Sequence, residues 1–331
     1  TLRTTVAAAA VGMLLYRFIA PDNLPLDAIQ GDTGIDSVKQ ELGDASYMDY
    51  IIGIVPDNVL RPLVEGNVLS LLLIAVAVGI ALARMPETDS KRTLMNGLNG
   101  LQNLVSTLIH WLIDILPIGI IAFAAQLSAE ITAGTVVTSI GKYVAVILGG
   151  NLLQFCVVLP LFLMARGLNP IRVARAMTPA VLMALFTKSS AATLPVTIQS
   201  AEERLGVASR VARFVLPICT TINMNGCAAF IFVTSLFVMQ NGGVEITWGT
   251  MIMWLFISVV AAIGNAGVPM GCYFLTLSLM SGVGAPIAIM GIILPVFTVL
   301  DMIETAENVW SDSCVAAMTD RDIRNASQRQ A

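Results

Sequence analysis

The stretch IAIMGIILPVFTVLDMIETAENVWSDSCVAAM, residues 287–318, decides the fold. It is apolar enough to lie in a bilayer, yet it carries Asp301, Glu304, Glu307 and Asp312, with no Lys or Arg before Arg321. Carboxylates are costly in hydrocarbon and persist there where something positive binds or passes. At about 3.6 residues per turn, Asp301, Glu304, Asn308 and Asp312 share one helical stripe and Glu307 points elsewhere. A stripe of acids and a carboxamide inside a membrane reads as a cation pathway or a polar-substrate site.

The rest of the chain supports a membrane setting. Its 331 residues are 56% hydrophobic and only 12% charged, with a mean hydropathy of +0.81. Soluble domains are about a quarter charged, so this composition describes a multi-pass protein of the lipid bilayer. The net charge of −4 leaves no nucleic-acid footprint. Cys156, Cys219, Cys227, Cys272 and Cys314 lack metal-ligand spacing and read as small core residues. One histidine, His110, leaves no Ser/His/Asp, Cys/His or metal-ligand set for an enzyme. The chain opens on Thr1 inside a membrane-like run that is no signal peptide, so the natural protein is expected to begin upstream.

Apolar windows of about 20 residues place spans at 4–20, 62–84, 104–128, 143–165, 211–239, 248–262 and 287–316. The loop at 21–58 is acidic and rich in Pro and Gly. Cations cluster at Arg84, Lys91 and Arg92, at Arg166, Arg172 and Arg175, at Arg204, Arg210 and Arg213, and at Arg321, Arg324 and Arg329. The positive-inside rule sets these groups and the C-terminus in the cytoplasm, and the 21–58 loop outside.

Two segments are not simple spans. Residues 176–200 begin and end beside cytoplasmic arginines and break at Lys188-Ser189-Ser190, the form of a re-entrant hairpin. Residues 255–286, within a second hairpin region of 248–286, break at IGNAGVPMG and enter from the other side. Between them TINMNGC, 221–227, sets Asn223, Asn225 and Gly226 at mid-membrane, where an unwound helix offers carbonyls. Irregular backbone at that depth is tolerated only against protein or a wet cavity. Paired interrupted segments of opposite topology point to a secondary transporter with a midplane site.

These residues resemble the dicarboxylate/amino acid:cation symporter family, which includes the excitatory amino acid transporters and the archaeal aspartate transporter. KSSAATLPVT at 188–197 is similar to the first hairpin tip, TINMNG at 221–226 to the NMDG motif, AIGNAGVP at 262–269 to the second tip, and LDMIETAENVWSD at 300–312 to the last helix. The four motifs run colinearly to about residue 320. The family's first two helices have no counterpart here.

The resemblance implies an all-α, elevator-type homotrimer in the plasma (cytoplasmic or inner) membrane. It implies a transport-domain helix at 1–20, mainly scaffold spans with an intervening transport-side helix at 59–165, hairpin 1 at 176–200, a broken helix at 211–241, hairpin 2 at 248–286 and a last helix at 287–320. The substrate is a small amino acid cotransported with sodium. Asp301 is expected to hold its ammonium and Asn308 its α-carboxylate, with Ser190, Cys227, Val268, Glu304 and Thr305 completing the pocket. One sodium falls to Cys219, Asn223, Asn308 and Asp312. A second falls to Thr221, Ala262, Ile263 and Asn265. A third falls to Thr4, Thr5, Asn223 and Asn225.

Three departures carry information. Glu304 stands where the family has an arginine that pairs with an acidic substrate. Asn225 replaces the NMDG aspartate, and Phe297 an aspartate one turn before Asp301. A fixed carboxylate disfavours a like-charged substrate by several kcal/mol, on the order expected in a low-dielectric pocket, so a cationic or neutral amino acid is expected. The neutral case has Lys188 neutralising Glu304. Loss of the acid at 225 implies fewer coupled sodium ions, or proton coupling through Glu304 or Glu307. Glu307 itself is expected at a boundary of the transport domain or paired with Lys188. The alternatives are an amino-acid exchanger, and a substrate-gated anion channel or non-transporting sensor on the same fold.

Overall fold

The computed structural model describes residues 1–24, 55–65, 68–131, 135–265, 267 and 269–330. Residues 25–54 of the acidic loop, and Val268, lie outside the described residues. All regular structure among the described residues is helical. Among the described residues, four helices are long and apolar enough to cross a membrane: Leu2–Ile19, Thr138–Ala165, Ser209–Asn241 and Ala288–Gln328.

The chain divides into two compact units. The smaller, residues 44–133, holds α2 (Arg61–Glu65), α3 (Val68–Arg84) and α4 (Asp89–Ile131). The spans expected there at 62–84 and 104–128 are bounded differently. α4 runs for 43 residues: the polar segment at 89–103 continues into the apolar one as a single helix, even though Gly97 and Gly100 lie within it.

The larger unit holds α1 (Leu2–Ile19), α5 (Thr135–Leu153), a π-helical turn (Gln154–Val158), α6 (Leu159–Ala165) and then the interrupted elements. α7 (Pro170–Thr187) starts on Asn169, whose side chain accepts from the N–H groups of Ile171 and Arg172, with Pro170 as first helical residue. It stops at Lys188, left-handed at φ 53°. Ser189 then caps α8 (Ser190–Gln199) by accepting from Ala192 N–H. A π-helical turn, Ser200–Leu205, ends this hairpin.

α9 (Ser209–Ile222) and α10 (Asn225–Asn241) are separated by Asn223 and Met224, neither with helical dihedrals. α10 is buried on every side, only Gln240 being partly open; a helix apolar all round belongs at the centre. α11 (Trp248–Ile263) and α12 (Gly271–Gly282) form the second hairpin. Residues 248–262 are therefore its first arm.

α13 (Ala288–Gln330) lies against α7, α9 and α10. Gly226 makes its approach to α10 possible: a Cβ there would stand 2.9 Å from Glu304 Cα. Phe297 is fully buried beside Phe230 and Tyr273, with ring centroids 4.5 and 5.4 Å away. An aromatic cluster thus occupies the place where the resemblance has an aspartate. At its far end α13 supplies Asp320, whose Oδ1 accepts from Ala208 N–H at 3.1 Å and caps α9 from outside the helix.

Candidate functional site

The two hairpin tips meet over the middle of α13. The Ser189 hydroxyl donates to the Gly267 carbonyl at 3.0 Å. Gly267 is left-handed at φ 65°, and a Cβ on it would lie 2.7 Å from the Thr220 carbonyl oxygen. Only glycine allows the second tip to sit this close to the end of α9. Ser190 is buried against the same glycine, its Cβ 3.6 Å from that Cβ position. The bridging hydroxyl belongs to Ser189, next to the serine singled out from the sequence.

Beneath the tips, Asp301, Glu304, Thr305, Asn308 and Asp312 are all buried. Asp301 Oδ2 accepts from the backbone N–H of Met270 at 3.1 Å, tying hairpin 2 to α13. Thr305 Oγ1 donates to its own helix at the Asp301 carbonyl. Asn308 Oδ1 accepts from Gly226 N–H at 2.9 Å, and its Nδ2 donates to Cys227 Sγ at 3.4 Å. Cys227 also accepts from Asn265 Nδ2 at 3.1 Å. Glu304 Oε2 accepts from the Cys272 thiol at 3.2 Å, while Oε1 has no donor. Glu304 thus bonds to Cys272 of hairpin 2, Asp301 to Met270, and Asn308 to Gly226 and Cys227, while Ser190 packs against Gly267 of the second tip.

A second polar group lies lower on α13, where the break after α9 turns two amides inward. Asn223 Oδ1 accepts from Thr4 at 3.0 Å, and its Nδ2 donates to Ser311 Oγ and Asp312 Oδ1 at 2.9 and 2.8 Å. Asn225 Oδ1 accepts from Thr5 at 2.9 Å, and its Nδ2 donates to Ser311 Oγ at 2.7 Å. Asp312 Oδ2 is left with no donor. The Cys219 carbonyl accepts from Asn223 N–H at 2.9 Å. Thr4, Thr5, Asn223, Asn225, Asp312 and Cys219 thus form one oxygen-rich nest, with Ser311 as a hub that the sequence reading did not single out.

The remaining expected set is looser. Thr221 is exposed and its hydroxyl donates to the Ile218 carbonyl. The Ala262 carbonyl accepts from Asn265 N–H, and Ile263 is partly exposed at the end of α11. The Asn265 side chain donates to Cys227 Sγ.

Two expectations about charge are corrected. No ion pair among the described residues involves Asp301, Glu304, Glu307 or Asp312. Lys188, expected to neutralise Glu304, makes no ion pair with it among the described residues. Glu307 is neither at the surface of this chain nor paired with Lys188. It is buried, and both its carboxylate oxygens lack a donor. The reason is packing: Gly226 draws α10 and α13 together, and the face of α13 next to the stripe is covered as well.

Functional residues missed from sequence are Cys272, the Met270 N–H and Ser311. Met270 lies within the IGNAGVPMG tip of hairpin 2 and Cys272 directly follows it, which was the available signal; Ser311 precedes Asp312 and had no signal beyond that neighbour.

A family model described as Sodium:dicarboxylate symporter family matches residues 1–322. The chain belongs to that family, and its regular structure among the described residues is all helical. Excitatory amino acid transporter 3 of Mus musculus is 33% identical over 265 residues, covering 80% of this chain and 49% of that protein. Neutral amino acid transporter B(0) of Oryctolagus cuniculus is 32% identical over 267 residues, with the same coverage of 80% and 49%. Neutral amino acid transporter A of Homo sapiens is 32% identical over 259 residues, covering 77% and 48%. The chain spans about half the length of these curated relatives.

Proposed function

We propose that this member of the sodium:dicarboxylate symporter family is a secondary active transporter, coupling sodium to the movement of a small amino acid whose side chain is cationic. One observation carries the choice of substrate: Glu304 is buried with an oxygen that no donor satisfies, and no cation among the described residues lies within ion-pairing distance. A buried carboxylate without a partner is strongly destabilising, and an ammonium or guanidinium on the substrate would supply that partner. The same carboxylate rejects aspartate, glutamate and dicarboxylates.

In this reading Asp301 takes the α-ammonium and Asn308 the α-carboxylate, with Ser190, Cys227, Thr305 and Val268 around them. The Asn223–Asn225–Asp312 nest, with Thr4, Thr5 and Cys219, holds sodium, and Thr221, Ala262, Ile263 and Asn265 form a second sodium set. Transport proceeds by an elevator movement within a homotrimer in the plasma membrane, with the C-terminus in the cytoplasm. A neutral substrate is the second reading, supported by the Cys272 thiol, which already donates one hydrogen bond to Glu304. Exchange without net flux, or an anion conductance, are the other activities the fold would support.

Uptake of labelled lysine, arginine, ornithine, serine, alanine and aspartate into proteoliposomes, with and without a sodium gradient, tests this. Sodium-driven concentration of a cationic amino acid, abolished in Glu304→Gln, is the expected result. Unchanged cationic uptake in Glu304→Gln, or concentrative aspartate uptake, overturns it.

A further inference from the structure

Cys227 on α10, Cys272 on α12 and Glu304 on α13 offer three metal-ligating atoms that all lie within 4.8 Å of one another. Each comes from a different element, and the residues are 5%, 1% and 1% exposed. Glu304 Oε1 is an acceptor without a donor. The Cys227 sulfur is held in place by the amides of Asn265 and Asn308, which donate to it at 3.1 and 3.4 Å. Such outer hydrogen bonds orient a ligand and tune its basicity.

Two buried thiols alone are ordinary small core residues. The unpartnered oxygen on the carboxylate beside them is what a packing role leaves unexplained. Sulfur ligands select soft or borderline d10 ions over hard ones such as sodium, and three protein ligands leave a fourth position open.

We infer that Cys227, Cys272 and Glu304 form a site for a thiophilic divalent cation, of the class of Zn2+ and Cd2+, that bridges hairpin 2 to the two helices beneath it. Binding forms two metal–sulfur bonds and releases the two thiol protons to solvent, with the Glu304 carboxylate as third ligand and no change of oxidation state. Cys272 is the second residue of α12, so the ion fastens the tip of hairpin 2 onto α10 and α13. The occupied site blocks the pocket and competes with the substrate; that consequence rests on the transport reading above, whereas binding of the ion does not.

The test uses the full chain carrying Cys156→Ser, which removes the exposed thiol, titrated with CdCl2 in lipid nanodiscs without substrate. One Cd2+ per chain is expected, with a sulfur-to-cadmium charge-transfer band of two thiolates. Cys272→Ser and Cys227→Ser should each weaken binding by at least the roughly 10–100-fold that loss of outer-shell partners costs, and each should halve the band. Glu304→Gln should weaken binding while the band stays. If Cys272→Ser does not fold, Cys227→Ser makes the same measurement from α10. No charge-transfer band in the parent, or unchanged affinity in both serine variants, overturns the site. Cadmium binding as expected without inhibition of uptake upholds the site and counts against placing the substrate at Glu304 and Cys227.

Discussion

The backbone N–H of Met270, itself left-handed at φ 62°, donates to Asp301 Oδ2 at 3.1 Å. This bond fastens hairpin 2 to α13 at a point where Asp301 is 4% exposed, so opening the hairpin must break a hydrogen bond to a buried carboxyl group. Bonds of this charged kind contribute about 1.5–3 kcal/mol. Asp301→Ala should therefore speed amide exchange at residues 270–272 by roughly 10–100-fold, while Asp301→Asn, which keeps an acceptor, should speed it by less. Equal exchange in all three proteins, measured by mass spectrometry, would show that hairpin 2 is held by other contacts.

Gly267 is the second fastening. Its carbonyl accepts from Ser189, and a Cβ on it would press on the Thr220 carbonyl at 2.7 Å in a left-handed conformation. Gly267→Ala should cost about 1–3 kcal/mol and separate the two tips. Gly141→Ala is the control, since nothing lies within 4 Å of its added Cβ on α5 and helix propensity favours alanine by about 1 kcal/mol. A melting point lowered at 267 and unchanged or raised at 141 is the expected pattern.

Much of this arrangement was legible in the sequence where local chemistry breaks a periodic pattern. Lys188-Ser189-Ser190 and IGNAGVPMG interrupt apolar runs, and Asn223 with Asn225 marks a helix that stops in mid-membrane. The acidic stripe was legible because 3.6-residue spacing relates Asp301 to Asp312 within one helix. Contacts between elements were not. Nothing in periodicity links Cys272 to Glu304, or Ser189 to Gly267, 78 positions apart. Burial of Glu307 escaped for a related reason: helical phase separates it from the stripe, but only the neighbouring helices decide whether that second face is covered. Hydropathy windows likewise missed that 89–131 is one helix.

Asn225 joins Thr5 and Ser311 as donor and acceptor at once. Asn225→Asp keeps the acceptor toward Thr5, removes the donor toward Ser311 and adds a buried charge near Asp312. Without sodium that charge is uncompensated, so the melting point should fall, by an amount on the order of 1–3 kcal/mol. With sodium a bound cation restores it, so the sodium-dependent rise should exceed that of the parent. In proteoliposomes the reversal potential should shift toward one more sodium per substrate. A melting point that falls equally with and without sodium would mean that the Thr5–Asn225–Ser311 nest binds no cation.

Glu307 is the carboxyl that none of the proposed ligand sets uses. Both its oxygens are buried without a donor, and it stands one turn from Glu304 on a helix that also carries Asp301, Asp312 and Asp320 as buried acids. Like charges at this spacing repel, and an unpaired buried charge costs several kcal/mol, roughly, after relaxation. If nothing binds Glu307, replacing it with a neutral side chain of similar size removes that cost: Glu307→Gln or Glu307→Met should raise the melting point, by about 1–4 kcal/mol of stability, equally in sodium and in choline buffer. If a coupling cation or proton is held there, the substitution should instead remove part of the dependence of stability on sodium or on pH. Thermal unfolding of the parent and both variants across a sodium series and a pH series separates the two cases. A variant that is less stable than the parent in every buffer would contradict both, and would mean that Glu307 has a partner in the assembled protein.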